Sequence, residues 1–247
     1  MKKGLPLGQG LTADIFEWGE TEIVKLFKKG YPACLIDDES SICQKVYELG
    51  LPVPAYCGSI EIDGRYGLIF ERVTGELLPR LMAANPFDLP KYARMMSELH
   101  FAIHKHTVPE LPFFAARMAS AIKGHKTLVP EEKITLLDGL YLRADGNTLC
   151  HGDFHPYNIL VSARGPVIID WGNAGRGNPA ADAGLTSLGL KIGKVPEYES
   201  DKSAIESCRL ELRQIYLANY LRLSTLAQDD LLQWEEYLSR YIQLFTN

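Results

Sequence analysis

The chain has 247 residues, 46% hydrophobic and 23% charged, with a formal net charge of −5 at pH 7, the make-up of a globular protein of one large domain or two smaller lobes. An acidic balance offers no basic face to nucleic acid, no apolar run approaches the roughly 18–20 residues a membrane span needs, and "MKKGLPLGQG" lacks the apolar stretch of a signal peptide. The five cysteines, Cys34, Cys43, Cys57, Cys150 and Cys208, are odd in number and form no CxxC, so neither a disulfide framework nor a zinc knuckle is expected and a reducing cytoplasm is the expected setting.

In chain order, "LPLGQG" predicts a strand ending in glycines. "LTADIFEW" and "EIVKLF" flank "GET" and predict a hairpin. A helix is predicted from about Ala33 to Leu49, stopped by Gly50 with Pro52 and Pro54 beyond. "YCGSIEID" and "YGLIFERV" around "GR" predict a second hairpin. After Gly75 the apolar spacing turns helical: Leu89, Ala93, Met96, Leu99 and Ile103, then Ile205, Cys208, Leu212 and Ile215, then Leu231, Trp234, Leu238 and Tyr241. "NILVSARGPVIID" interrupts the helices as a small hairpin. The expected fold class is α+β. The expected domains are a β-rich lobe over 1–74, a hinge at about 70–75, and a mostly helical lobe over 75–247 that carries the loop 151–158 and Asp170.

The stretch "HGDFHPYNIL", His151 to Leu160, holds two histidines, an aspartate, an asparagine and a proline in eight residues, and "VIIDWG" follows shortly after. Asp153 and Asn158 flank a turn, and Asp170 ends the hairpin that follows, which should return it near Asn158. One carboxylate and one amide oxygen form a hard oxygen pair suited to Mg²⁺. Asp153 is then left to accept a proton from an attacking hydroxyl. Together the three predict a phosphoryl-transfer centre. Any one of them alone reads as a turn or cap residue.

Phosphate-holding groups are sought upstream. Gly8 and Gly10 lie between two predicted strands, where backbone N–H groups could approach phosphates, although a plain glycine turn explains them equally. Lys25 shares its strand face with Ile23 and Phe27, so it either snorkels or serves a buried anion. Glu39 falls on the apolar stripe of Leu35, Ile42, Val46 and Leu49, and an inward carboxylate calls for a cation, for which Lys25 is the natural choice.

Other polar residues are read as structural. Among His100, His104 and His106, one structural and two surface histidines are expected in preference to a metal set, and His151 and His155 are expected to support the loop. Cys150 reads as a small buried apolar residue, and Arg176 as a loop arginine or a phosphate contact. "DDLLQWEEYLSRY" reads as an amphipathic helix with its charges in water.

These motifs resemble the aminoglycoside phosphotransferase and choline kinase-type family of small-molecule kinases. The resemblance runs from about Gly8 to Asp182. "HGDFHPYN" is similar to that family's catalytic loop, "IDWG" with Pro179 and Asp182 to its metal aspartate and downstream structural aspartate, and "DDESSICQKVYELGLPVP" to its first helix. "SELH", with His100, resembles a recurring helix signature. Trp171 and the "HGD" triplet set the chain apart from protein kinases, which tend toward "HRD" and "DFG". The resemblance implies a bilobal protein-kinase-like fold, with Asp153 as catalytic base and Asn158 and Asp170 as Mg²⁺ ligands. It implies Lys25 on the α- and β-phosphates, Glu39 orienting Lys25, and the backbone of Glu71 and Val73 receiving adenine.

The expected activity is transfer of the γ-phosphoryl group of ATP or GTP to a hydroxyl of an aminoglycoside-, choline- or sugar-like small molecule. Nucleic acid and membrane are not expected partners, and the sequence is silent on oligomeric state. A protein Ser/Thr kinase is disfavoured because no activation segment of protein-kinase length follows Asp170. A non-catalytic nucleotide-binding regulatory module would lack catalytic groups that are all present here.

Overall fold

A computed structural model describes residues 3–143, 146–197 and 199–246, with side chains to Gln243. The first elements are β1 (Lys3–Gln9), β2 (Ala13–Trp18), β3 (Glu22–Phe27), α1 (Ala33–Glu48), β4 (Tyr56–Ile62), β5 (Arg65–Glu71) and β6 (Gly75–Leu77). Next come α2 (Leu78–Ala84), α3 (Leu89–His104), α4 (Ala115–Gly124) and α5 (Pro130–Arg143). The chain continues with β7 (Thr148–Cys150), β8 (Ile159–Ser162), β9 (Gly165–Ile168) and β10 (Gly175–Gly177), and closes with α6 (Pro179–Ile192), α7 (Lys202–Leu223) and α8 (Gln228–Thr246). The fold class is α+β, as expected. No described helix is long and apolar enough to cross a membrane.

The chain divides into two compact units. One takes everything up to Glu76 together with Ile159–Gly172, and the other takes Leu77–Asn158 together with everything from Asn173 on. The sequence expectation leaves 159–172 in the helical lobe, whereas the structure gives this segment to the first unit. The physical reason is pairing: β6, β8 and β9 form one three-stranded sheet, and the Ile168 N–H donates to the Pro52 carbonyl at 2.7 Å.

In the first unit five antiparallel strands run in the order β1-β2-β3-β5-β4. Alternation sends Val24 and Leu26 to one face of β3 and Lys25 and Phe27 to the other, and Lys25 pairs in register with Ile15 and Leu68. Ala13, Phe27 and Leu68 pack with Ile36 of α1 in a buried cluster. Helix α1 buries Ile36, Glu39, Ile42, Cys43 and Val46, the 3.6-residue stripe that an inward face requires. Asp14 is buried at the start of β2, where its carboxylate accepts from Lys28 and from Arg65 at 2.7 Å. These two cations hold its pKa below the ordinary aspartate value.

The second unit is mostly helical. Helix α6 starts on Asn178, whose side-chain oxygen accepts from Ala180 N–H at 2.9 Å, with Pro179 in the first turn. Its core joins Ala115, Met118, Ile122, Leu140, Cys150, Leu188, Trp234 and Leu238 from α4, α5, β7, α6 and α8. Helix α8 is amphipathic as expected, but Glu235 departs from the reading of its charges as solvated. Glu235 is buried, is gripped by Arg213 at 2.8 and 3.0 Å, and accepts from the Ser187 hydroxyl. Helices α6, α7 and α8 are thereby tied by one ionic cluster.

Candidate active site

In the first unit Lys25 lies between two carboxylates. Its Nζ is 2.7 Å from Glu39 Oε1 and 2.8 Å from Asp170 Oδ1. Burial works against the charge, but Asp170 and Glu39 outweigh it and hold the lysine pKa above its ordinary value. Glu39 is buried at 4% exposure, which rules out a solvated helix edge.

Asp170 sits at φ 61, in the left-handed region that aspartate tolerates at some cost. Next to it Trp171 is buried and its Nε1 donates to the Ile168 carbonyl at 3.4 Å, anchoring the turn. Gly172 gives Glu39 its space, because a Cβ there would stand 2.8 Å from Glu39 Oε2. The Asp170 side chain itself is half exposed.

Gly8 lies in the exposed strand β1. Gly10 turns its N–H onto the Ala13 carbonyl at 2.8 Å, and Lys28 N–H closes on the Thr12 carbonyl at 2.8 Å. The Gly10 amide is thus engaged in the loop's own turn rather than presented outward, while Leu11 at the tip is fully exposed. Glu71 ends β5 with its N–H on the Ala55 carbonyl. Its carboxylate meets both terminal nitrogens of Arg164 at 2.6 and 3.0 Å, a bidentate pair that holds its pKa low against partial burial. Arg164 has no signal in the sequence that would mark it. Val73 is half-buried in the link to β6.

In the second unit the loop 151–158 is fixed through its backbone. Asp182 is fully buried and accepts the N–H groups of His151 at 2.6 Å and Gly152 at 2.9 Å. Gly152 has φ +76, and a Cβ on it would run into the Asn173 carbonyl, so only glycine fits there. Asp153 N–H faces His151 Nδ1 at 3.3 Å, and the Asp153 carbonyl accepts from Asn158 Nδ2 at 2.9 Å. Thr186 donates to the Phe154 carbonyl at 2.8 Å. The Asp153 carboxylate remains partly exposed, with His155 Nε2 at 3.5 Å, too far for a strong hydrogen bond.

With its nitrogen committed to the Asp153 carbonyl, the Asn158 side chain has its amide oxygen left as an acceptor. Asn158 offers this oxygen and Asp170 a carboxylate. Both are hard donors of the kind Mg²⁺ selects, so each residue fits the implied metal by its chemistry. Asn158 immediately precedes β8, and Asp170 follows β9 by two residues.

Two histidines, not one, are buried on α3: His100 is fully buried and the His104 side chain is 4% exposed. Their i,i+4 spacing is the signal that could have identified both as inward. Arg176 lies on β10 with its guanidinium 5.0 Å above the Phe113 ring and 3.2 Å from Asn147 Oδ1, which gives it packing partners in place of solvent. Cys150 is fully buried, and burial raises its thiol pKa far above the reactive range.

A sheet carrying an ion-paired lysine and glutamate, with a helical unit carrying a backbone-anchored "HGDFHPYN" loop, defines a small-molecule phosphotransferase of the protein-kinase-like fold. The chain belongs to the phosphotransferase enzyme family, whose model matches residues 3–204, and is therefore an enzyme that phosphorylates a hydroxyl group. Its fold is similar to that of an aminoglycoside-3'-phosphotransferase of type VIII, with TM-score 0.64 and 20% identity over 97% of this chain and 93% of the other. It is also similar to choline kinase LicA from Streptococcus pneumoniae, with TM-score 0.62 and 16% identity over 100% and 84% of the two chains. Amicoumacin kinase in complex with AMP-PNP, Ca²⁺ and its ligand gives TM-score 0.60 and 14% identity over 97% and 80%. No curated protein matches the chain in sequence.

Proposed function

We propose that the enzyme transfers the γ-phosphoryl group of ATP or GTP to a hydroxyl of a small metabolite or antibiotic, aminoglycoside-, choline- or sugar-like. The observation that carries this reading is the Lys25 ammonium held at 2.7 and 2.8 Å between Glu39 and Asp170. A cation fixed in this way meets phosphate oxygens without reorganising. Similar folds in complex with streptomycin or gentamicin, and that of a choline kinase, support a small hydroxylated acceptor.

In this mechanism Asp153 orients the acceptor hydroxyl and takes its proton. The acceptor oxygen forms its bond to the γ-phosphorus as the bond from that phosphorus to the bridging oxygen breaks, and the nucleoside diphosphate departs with that electron pair. Lys25 offsets charge on the α- and β-phosphates, and Glu39 keeps Lys25 in place. Asn158 and Asp170 would hold Mg²⁺, which when bound neutralises phosphate charge. Glu71 and Val73 offer backbone groups to the purine, with Arg164 bracing Glu71. Gly10 closes the turn after β1, with Gly8 on the strand before it, and this turn would cover the phosphates.

The test is phosphoryl transfer from labelled ATP and GTP to a panel of aminoglycosides, choline-like alcohols and sugars. Asp153→Asn is expected to lower kcat by about 10²- to 10⁴-fold while nucleotide affinity stays within about twofold. Near-wild-type turnover in that variant would remove Asp153 from the role. Magnesium-dependent nucleotide binding without turnover on any acceptor would favour a regulatory module.

A further inference from the structure

The buried carboxylate of Asp182 faces four hydrogen-bond donors. Besides the two loop amides, His100 Nε2 and His104 Nε2 each lie 3.1 Å from its Oδ2. A buried anion tolerates such a setting only when its lone pairs are filled. A proton on Nε2 of both imidazoles fills them, and in the neutral rings this tautomer leaves each Nδ1 as an acceptor. Tyr216 and Tyr220 fill these, with hydroxyl oxygens 2.7 Å from His100 Nδ1 and 2.5 Å from His104 Nδ1. The histidines are four apart on α3 and the tyrosines four apart on α7, so one helical repeat on each side brings two parallel arms onto one carboxylate.

His100, His104 and Asp182 are also close enough together to be a metal triad. The hydrogen-bond count argues against that role. Both Nδ1 atoms are taken by tyrosines, and both Nε2 atoms and both carboxylate oxygens are taken within the cluster. A cation would have to displace the donors that anchor the loop.

We infer that His104 and Tyr220 are positioning residues for the catalytic loop, acting through Asp182 on the backbone of His151 and Gly152 and so on the placement of Asp153. His104 supplies the fourth donor to this buried carboxylate. Tyr220 supplies the hydrogen bond to the other ring nitrogen, which holds the His104 ring in that orientation. Without the hydroxyl, Nδ1 is an unsatisfied acceptor in a dry site. The ring relieves this by turning, the Nε2–Asp182 bond is lost, and the carboxylate loosens its hold on the two amides. The kinetic part of this inference rests on the proposed role of Asp153, and the structural part does not.

The experiment is amide hydrogen exchange over the segment around His151–Asp153 in the full chain, comparing wild type with Tyr220→Phe, His104→Leu and His104→Gln. Exchange of the His151 and Gly152 amides is expected to speed up about tenfold in Tyr220→Phe and more in His104→Leu, while segments in α1 and β5 stay as protected as before. His104→Gln should recover the larger part of the protection, because its amide N–H can occupy the place of the imidazole Nε2–H. If His104→Leu does not fold, Tyr220→Phe decides. Unchanged exchange of the two amides in folded Tyr220→Phe would overturn the inference. On an identified acceptor, Tyr220→Phe should lower kcat about fivefold or more with nucleotide KM within about twofold, and a change confined to KM would also overturn it. A wild-type enzyme with no turnover would count against the proposed function, and the exchange result would still decide the positioning role.

Discussion

Lys25 and Asp170 are 145 positions apart in sequence, and their side chains meet at 2.8 Å. Helix α1 adds Glu39 to the same ammonium. Three charges are thus held close together, with the cation in the middle and one carboxylate in excess.

Glu39→Gln preserves shape and removes one of the two carboxylates that raise the lysine pKa. Lys25 is then free to follow Asp170 alone. The expected outcome is a roughly tenfold to hundredfold loss in kcat/KM for the nucleotide with the fold intact, read from initial rates and circular dichroism. Kinetics equal to wild type would take Glu39 out of the site.

Gly152→Ala introduces a Cβ at φ +76, directed at the Asn173 carbonyl. The left-handed conformation alone costs about 1–2 kcal/mol for alanine, and a backbone oxygen has little room to yield. Urea unfolding should show a loss of about 2 kcal/mol or more. Turnover should fall further than this stability loss explains, since Asp153 is the next residue.

The pH dependence of stability has a definite sign. Burial lowers the His100 pKa to about 4 from an ordinary value of 6.5. Between those values the unfolded chain binds a proton that the folded chain refuses. Stability is therefore complete above about pH 6.5 and falls as the pH drops toward 4, by about 1.4 kcal/mol per pH unit at most. Asp182, held far below the ordinary aspartate value despite its burial because His100 and His104 face it, adds its own loss at still lower pH. Urea midpoints at pH 7, 6 and 5 read the effect, and His100→Gln should flatten the slope. An equal slope in both proteins would contradict the assignment.

Arg213→Met removes the cation from the buried Glu235 and the one Nε–H that the Ser187 hydroxyl and carbonyl oxygens share. The expected cost is about 3–5 kcal/mol, measured by denaturant unfolding, because a buried charge loses its partner. Adding Glu235→Leu should return a large part of it. A double variant no more stable than the single one would show that the cluster does more than compensate charge.

The proposed chemistry is legible because it is local. In "HGDFHPYN" the proposed base Asp153 and the proposed amide ligand Asn158 lie five residues apart on one loop, and short-range spacing survives any arrangement of the rest. Alternation on β3 placed Lys25 on the face it shares with Phe27, and the helical stripe of α1 placed Glu39 inward. Strand and helix periodicity alone dictate both.

Other features could be decided only in three dimensions. That 159–172 joins the first unit depends on β6 pairing with β8, a partner choice that backbone hydrogen bonds make without side-chain marks. Whether the Gly10 amide faces outward depends on how one turn closes. His104 read as a surface residue because its i,i+4 relation to His100 acquires meaning only against Tyr216 and Tyr220 on another helix. By itself the sequence determined which groups the protein carries and on which local face each lies, because covalent spacing and secondary-structure period are short-range. The tertiary structure decided which distant groups share a charge or a proton, because that depends on pairings between elements that no local pattern encodes.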